Sequence, residues 1–158
     1  MNKSTNNVLN RGKLKKITTY QAGVLQATTH RNLQKHSDNI LKKFGITKMQ
    51  WLIIGTVHDA GSEGIRLTEL TEKLDTTMSY LTNTVNLLES KGILDRVSDT
   101  TDSRAKFIRI NQKFSPKCTE IEKDLRDELR KSIYSHVKPE DFVLYLKVLH
   151  QLSKVENS

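Results

Sequence analysis

At 158 residues, with 35% hydrophobic and 28% charged residues, seven glycines and two prolines, the chain is long enough to bury one core, and its composition favours amphipathic helices over an all-β fold. No window approaches the ~18 consecutive apolar residues of a membrane span. The amino terminus has charge without an apolar signal core, and the single cysteine, Cys118, excludes an intramolecular disulfide and a cysteine-rich zinc site, so a cytoplasmic protein is expected, with no membrane partner, metal or cofactor. The net charge of +8 points to a polyanionic partner; it resides in residues 1–60, with ten Lys/Arg against two Asp/Glu, while 61–113 and 114–158 each balance eight against eight.

Residues 1–16 hold five bases and no acid, the composition of a flexible arm that lies along phosphates or simply keeps the chain soluble. Ile17, Tyr20, Val24, Ile40, Leu41 and Phe44 then keep near-helical spacing, and Gly45 stops a first helix over 17–45. Thr47 and Gln50 have capping-box spacing and open "WLIIGTVHDA", apolar enough to be central to the core. After "GSEG", the piece "IRL" reads as a short strand, and Thr68 as the cap of a third helix, "ELTEKL". Asp75 makes a turn, and Thr76 or Thr77 caps a fourth helix ending at Gly92, with Leu81, Val85 and Leu88 inward.

"ILDRV" and "KFIRI" alternate apolar and polar residues as a hairpin with a long tip. Ser115 is placed as N-cap before an N1 proline, Pro116, and Ile121, Leu125, Leu129, Ile133 and Val137 recur every fourth residue along a fifth helix. Pro139, Glu140 and Asp141 begin a sixth, whose apolar face is Phe142, Tyr145, Leu146, Leu149 and Leu152. The last two helices, with Tyr20 and Val24, offer more apolar face than one lobe need cover; an obligate homodimer uses Tyr20, Val24, Leu125, Leu129, Ile133, Leu146 and Leu149, and packing within one chain is the alternative.

Two helices across a tight turn followed by a hairpin make a winged helix-turn-helix. The fold expected is mainly α with a small β-hairpin wing: a winged helix-turn-helix domain over 46–113, between an N-terminal dimerisation helix at 17–45 and C-terminal dimerisation helices at 114–158. In such a motif the second helix enters the major groove, so its free face must carry hydrogen-bonding groups. Thr77, Ser79, Tyr80, Thr82, Asn83 and Asn86 provide them, and the Asn83 amide suits adenine N6 and N7. No residue from Thr76 to Leu88 is charged, so this helix has no arginine for guanine and its readout is weaker or A·T-directed.

The run "LTELTEKLDTTMSYLTNTVNLLESKGILDRVSDTTDSRAKFIRIN" resembles the DNA-binding core of the MarR family of winged-helix transcription regulators. Ser79, Leu81, Thr82, Leu88, Glu89, Gly92, Ile93, Arg96, Asp99, Asp102 and Arg104 meet the family pattern, whereas Thr76 and Asn83 depart from it. The resemblance implies a homodimer on a pseudo-palindromic site of double-stranded DNA, with helix 76–91 in the major groove and wing 97–107 in the minor groove. Arg104 would enter that groove with Asp102 orienting it, Lys106 would serve a phosphate, Arg96 would belong to the same DNA-binding set, and Asp99 would pair with Arg96 or close the turn. A cleft for an unidentified small-molecule effector is also implied, with Trp51, Tyr20 and His58 as candidate lining or as ordinary core and surface residues.

The expected function is transcription regulation by promoter occlusion, a repressor. A winged-helix module for protein interaction or weakly specific architectural DNA binding is the alternative, favoured by the neutral charge of 61–113. No nucleophile triad, P-loop, dinucleotide-binding glycine pattern or convergent carboxylate pair marks an enzyme. His30 and His36, six apart, do not share a helix face as metal ligands would.

Overall fold

Two capping boxes set the starts of the first two helices in the computed structural model, which describes residues 16–98 and 106–155. Thr18 Oγ1 accepts the Gln21 N–H at 3.2 Å and Gln21 Oε1 accepts the Thr18 N–H at 3.0 Å, opening α1, Thr19–Leu41, a cap that the spacing analysis missed. The same reciprocal pair between Thr47 and Gln50 opens α2, Lys48–Asp59, as expected. Between them the anticipated single helix tightens into a 3-10 turn at Lys42–Phe44 and ends on Gly45 at φ 68°. The basic arm at residues 1–15 lies outside the described residues.

The order continues with β1 (Ile65–Arg66), α3 (Leu67–Lys73), α4 (Met78–Ser90), β2 (Leu94–Ser98), β3 (Lys106–Ile110), α5 (Ser115–Ser132) and α6 (Pro139–Leu152). Three local expectations need correction. Thr68 does not cap α3, which begins one residue earlier behind an extended Arg66, with no side-chain cap. Ser115 is the first residue of α5 and not its N-cap, a place taken by Phe114. Ile133 and Val137 lie beyond α5: Ile133 is its distorted C-cap, a 3-10 turn follows at Tyr134–His136, and Val137 is extended. Pro139 then separates this turn from the next helix, because the residue before a proline is driven out of the α region, and Lys138 stands at ψ 144°.

The sheet order is β1–β3–β2, antiparallel throughout. β3 is therefore central, with Ile108 opposite both Ile65 and Arg96, and Lys106 opposite Ser98. β1 approaches so closely that Gly64, at φ 77°, leaves no room for a side chain: a Cβ there would lie 2.6 Å from the Ile108 carbonyl oxygen. The Arg109 guanidinium ties the same junction by donating to the Ser62 carbonyl at 3.2 Å.

One core unites these parts. Ile53, Ile54 and Val57 of α2 are fully buried against Leu70 of α3, Leu81, Val85 and Leu88 of α4, Ile65, Leu94 and Ile108 of the sheet, and Ile121 of α5. Asn111 joins the sheet to α5. Its N–H donates to Ile93, its amide donates to both Asp95 carboxylate oxygens at 3.0 and 3.1 Å, and its carbonyl receives the N–H groups of Phe114 and Ser115. At the other end of α5, the Glu128 carboxylate lies 2.8 Å from His36 Nδ1 of α1 and accepts from Ser132 Oγ at 2.7 Å. The hydrogen bond from His36, and then that from Ser132, hold its carboxyl below the usual carboxylate range.

Gly64→Ala should cost about 2–3 kcal/mol in chemical denaturation, through positive-φ strain and collision with backbone. A carboxyl whose pKa is lowered on folding contributes stability that is complete above its unfolded pKa and is lost as pH falls through the folded one. Wild-type protein should therefore lose more thermal stability than Glu128→Gln on acidification from about pH 5 to about pH 3, as read by a melting series.

Candidate nucleic-acid interface

The turn between α3 and α4 is set by Asp75, the non-glycine residue at positive φ among those described, at 45°, and by the Thr76 N–H donating to the Thr71 carbonyl at 3.2 Å. Thr77 then caps α4, its hydroxyl accepting the Tyr80 N–H at 3.2 Å. With Leu81, Val85 and Leu88 fully buried, the opposite face presents Ser79, Tyr80, Asn83 and Asn86, all exposed, with Thr82 half-buried at its edge. Met78 is also exposed, its sulfur 3.8 Å from the Thr71 hydroxyl. Of the residues expected on this face, the Thr77 hydroxyl is committed to the cap.

Arg96 is committed as well. From β2 it reaches α4, donating through Nη1 to Glu89 Oε2 at 2.9 Å and through Nη2 to Asn86 Oδ1 at 2.6 Å. Glu89 and Asn86 are three residues apart and so share one helix face. The planar guanidinium bridges both, which fixes the carboxyl-terminal half of α4 to the sheet. No short-range sequence pattern announces this contact, because its partners lie seven and ten residues away in a different element.

Lys106 is exposed at the far end of the described ladder, opposite Ser98. Asp99, Asp102 and Arg104 lie outside the described residues. Arg66 on the edge strand was not singled out from the sequence; its guanidinium stands over the Phe107 ring at 5.3 Å, on the face of the sheet opposite Ile108.

Residues 44–105 match the sequence model of the MarR family. The whole fold is similar to MarR from E. coli complexed with operator DNA, at TM-score 0.73 and 18% identity over 82% of this chain and 91% of that one. In sequence, that central segment is similar to the MarR family. The fold of the chain is likewise similar to the MepR–DNA complex of S. aureus, at TM-score 0.70 and 21% identity over 88% of this chain and 99% of that one. A third similar structure is CouR from Rhodococcus jostii bound to p-coumaroyl-CoA, at TM-score 0.75 and 13% identity over 87% and 94%. These likenesses in fold cover more of the chain than the sequence match over residues 44–105.

In this chain α6 buries none of its residues, and Val143, Leu144, Leu146, Val148, Leu149 and Leu152 stand exposed, as do Tyr20 and Val24 on α1. Leu125 departs from the expected interface set: it is 5% exposed and belongs to the protomer's own core. Leu129 and Ile133 are half-buried. An apolar cleft of about 760 Å³ runs between α1, α2, α5 and Phe142, with Trp51, Leu52 and Leu129 among its walls. Trp51 thus lines it; Tyr20 does not, and His58 lies instead on a separate groove of about 530 Å³ beside Cys118. Burial pushes the Cys118 thiol up, which disfavours the reactive thiolate. Among the described residues no cluster of three or more His, Cys, Asp or Glu is placed to hold a metal, and no helix is long and apolar enough to cross a membrane.

A double-mutant cycle between Arg96→Met and Glu89→Gln should return a coupling of about 1 kcal/mol in chemical denaturation, as expected of a partly exposed charge-assisted pair.

Proposed function

We propose that this protein is a homodimeric, sequence-specific DNA-binding repressor that occludes promoter DNA. The observation that carries the reading is the uncharged, hydrogen-bonding outer face of α4, held outward by three fully buried residues on its inner face. Ser79, Tyr80, Thr82 and Asn83 read bases in the major groove, and Thr77 and Asn86 support them at the helix ends. Arg104, oriented by Asp102, enters the minor groove, and Lys106 meets a phosphate. Arg96 acts from behind, by holding α4. The basic segment 1–16 adds affinity along the backbone.

Dimerisation is supported by the unburied apolar faces: a 14-residue helix with no buried residue has little reason to stay folded without a partner. Tyr20, Val24, Leu146 and Leu149 form the contact with the second copy, flanked by Leu129 and Ile133. The family and the operator-DNA complexes among its structural relatives support the DNA reading. The cleft walled by Trp51 takes an aromatic or lipophilic effector, whose binding shifts the distance between the two recognition helices. CouR, bound to p-coumaroyl-CoA, is a relative of this fold with a ligand. A weakly specific architectural role has one observation in its favour, the charge balance of residues 61–113, eight against eight.

Fluorescence anisotropy on duplexes selected from a random pool, against unselected duplexes, separates the two readings. The repressor should prefer selected sites at every salt concentration, with a salt slope reporting its phosphate contacts; loss of preference throughout leaves only architectural binding. In sedimentation velocity the wild type should run as a dimer, and Leu146→Glu with Leu149→Glu as a monomer that binds the selected site at least about tenfold more weakly, since each half-site contact then forms alone.

A further inference from the structure

The outer face of α4 also determines which base edges it can recognise. Guanine offers two acceptors in the major groove, N7 and O6, and the side chains that match them are arginine and lysine. From Thr76 to Leu88 there is neither. The arginine nearest the helix, Arg96, has Nη1 on Glu89 and Nη2 on Asn86, and Lys91 at the helix end donates to the Gly45 carbonyl at 3.2 Å. Among the described residues, these two cations at the carboxyl-terminal half of α4 are thus directed back onto protein partners.

What the face does present falls into two rows. Met78 and Thr82, four residues apart, form an apolar row of one thioether and one methyl along one edge, and the half-exposed Tyr80 ring stands at the opposite edge. Ser79 and Asn83 form a polar row with the same spacing, and the Asn83 amide has no protein partner among the described residues. Four residues rise about 6 Å along a helix, close to two base-pair steps at about 3.4 Å each. An A·T pair is the counterpart of both rows: adenine shows an acceptor and a donor that suit a side-chain amide, and the thymine methyl is the apolar group of the major groove.

Resting on the regulator reading above, we infer that α4 is an A·T reader, with Asn83 paired to adenine and Met78, Tyr80 and Thr82 packed on thymine methyls. Specificity at the centre of each half-site is then set by methyl groups and one amide, and guanine is disfavoured there because its O6 meets no cation.

The test begins with the duplex that the full-length protein selects from random DNA, remade with deoxyuridine for thymidine in the major-groove segment of each half-site. This change removes the methyls and leaves base pairing and the minor groove intact. A second duplex carries 7-deazaguanine for every guanine. Uracil substitution should weaken binding by about fivefold or more, while 7-deazaguanine leaves it within about twofold. Asn83→Arg, at an exposed site whose fold is checked by circular dichroism, should move one selected base per half-site from adenine to guanine. Sensitivity to 7-deazaguanine without sensitivity to uracil overturns the A·T inference and leaves the regulator reading standing. An unchanged motif for Asn83→Arg overturns it too, and selection of no motif at all overturns both.

Discussion

Complete burial of Leu81, Val85 and Leu88 is the constraint from which the candidate DNA-binding surface follows. Each such side chain contributes about 2 kcal/mol relative to exposure, and a rotation of the helix by one residue position, about 100°, would return all three to water. The azimuth of α4 is therefore locked, and with it the identity of the residues left outside. Its two ends are fixed by different means: the left-handed Asp75 and the Thr77 hydroxyl at the start, the Arg96 bridge to Glu89 and Asn86 near the finish. Packing sets the rotation, and polar contacts set the ends.

The terminal helices pose the opposite problem. α1 buries only Ile40 and Leu41 of its 23 residues, and α6 buries none, although its sequence is rich in leucine and valine. The single core takes only Ile40 and Leu41 from α1 and no buried residue from α6, so it does not account for these faces. Their amphipathicity makes sense when a second surface covers them, and α5 stands between the two regimes, with Cys118, Ile121 and Leu125 in the core and Leu129 at its margin.

Some contacts within one turn of helix were readable from the sequence, although the Thr18–Gln21 box was not. The Thr47–Gln50 box, the left-handed Asp75 and the inward triplet of α4 each follow from spacing or local conformational preference, and the structure has all three. The caps at Thr68 and Ser115 were misplaced within the first turn, and the overlong fifth helix has another cause, which is that a periodic pattern does not know where backbone geometry stops it. Leucine spacing runs on to Val137, yet Pro139 forces Lys138 extended and the helix has already ended at Ser132. Beyond the β2–β3 hairpin, contacts between elements were not readable: the pairing of β1 with β3, the Arg96 bridge and the placement of Leu125 in the protomer's core depend on tertiary packing, for which a single chain of letters has no periodic signal.

Asn111 lends the molecule a mechanical asymmetry. Its amide grips Asp95 at the root of the wing while its carbonyl receives the first N–H groups of α5, so strand and terminal helix share one hinge point. The ladder from there to Ser98 and Lys106 is a rigid arm of five residues, about 17 Å. Because β3 is also paired with β1 and anchored by Ile108, the ladder turns only with the domain that carries it, and a tilt of that domain by roughly ten degrees about this point would move the far end by about 3 Å, nearly one base-pair step. The wing is thus geared: a small change of angle where the helices meet becomes, at its outer end, a shift on the scale of the nucleic-acid lattice itself.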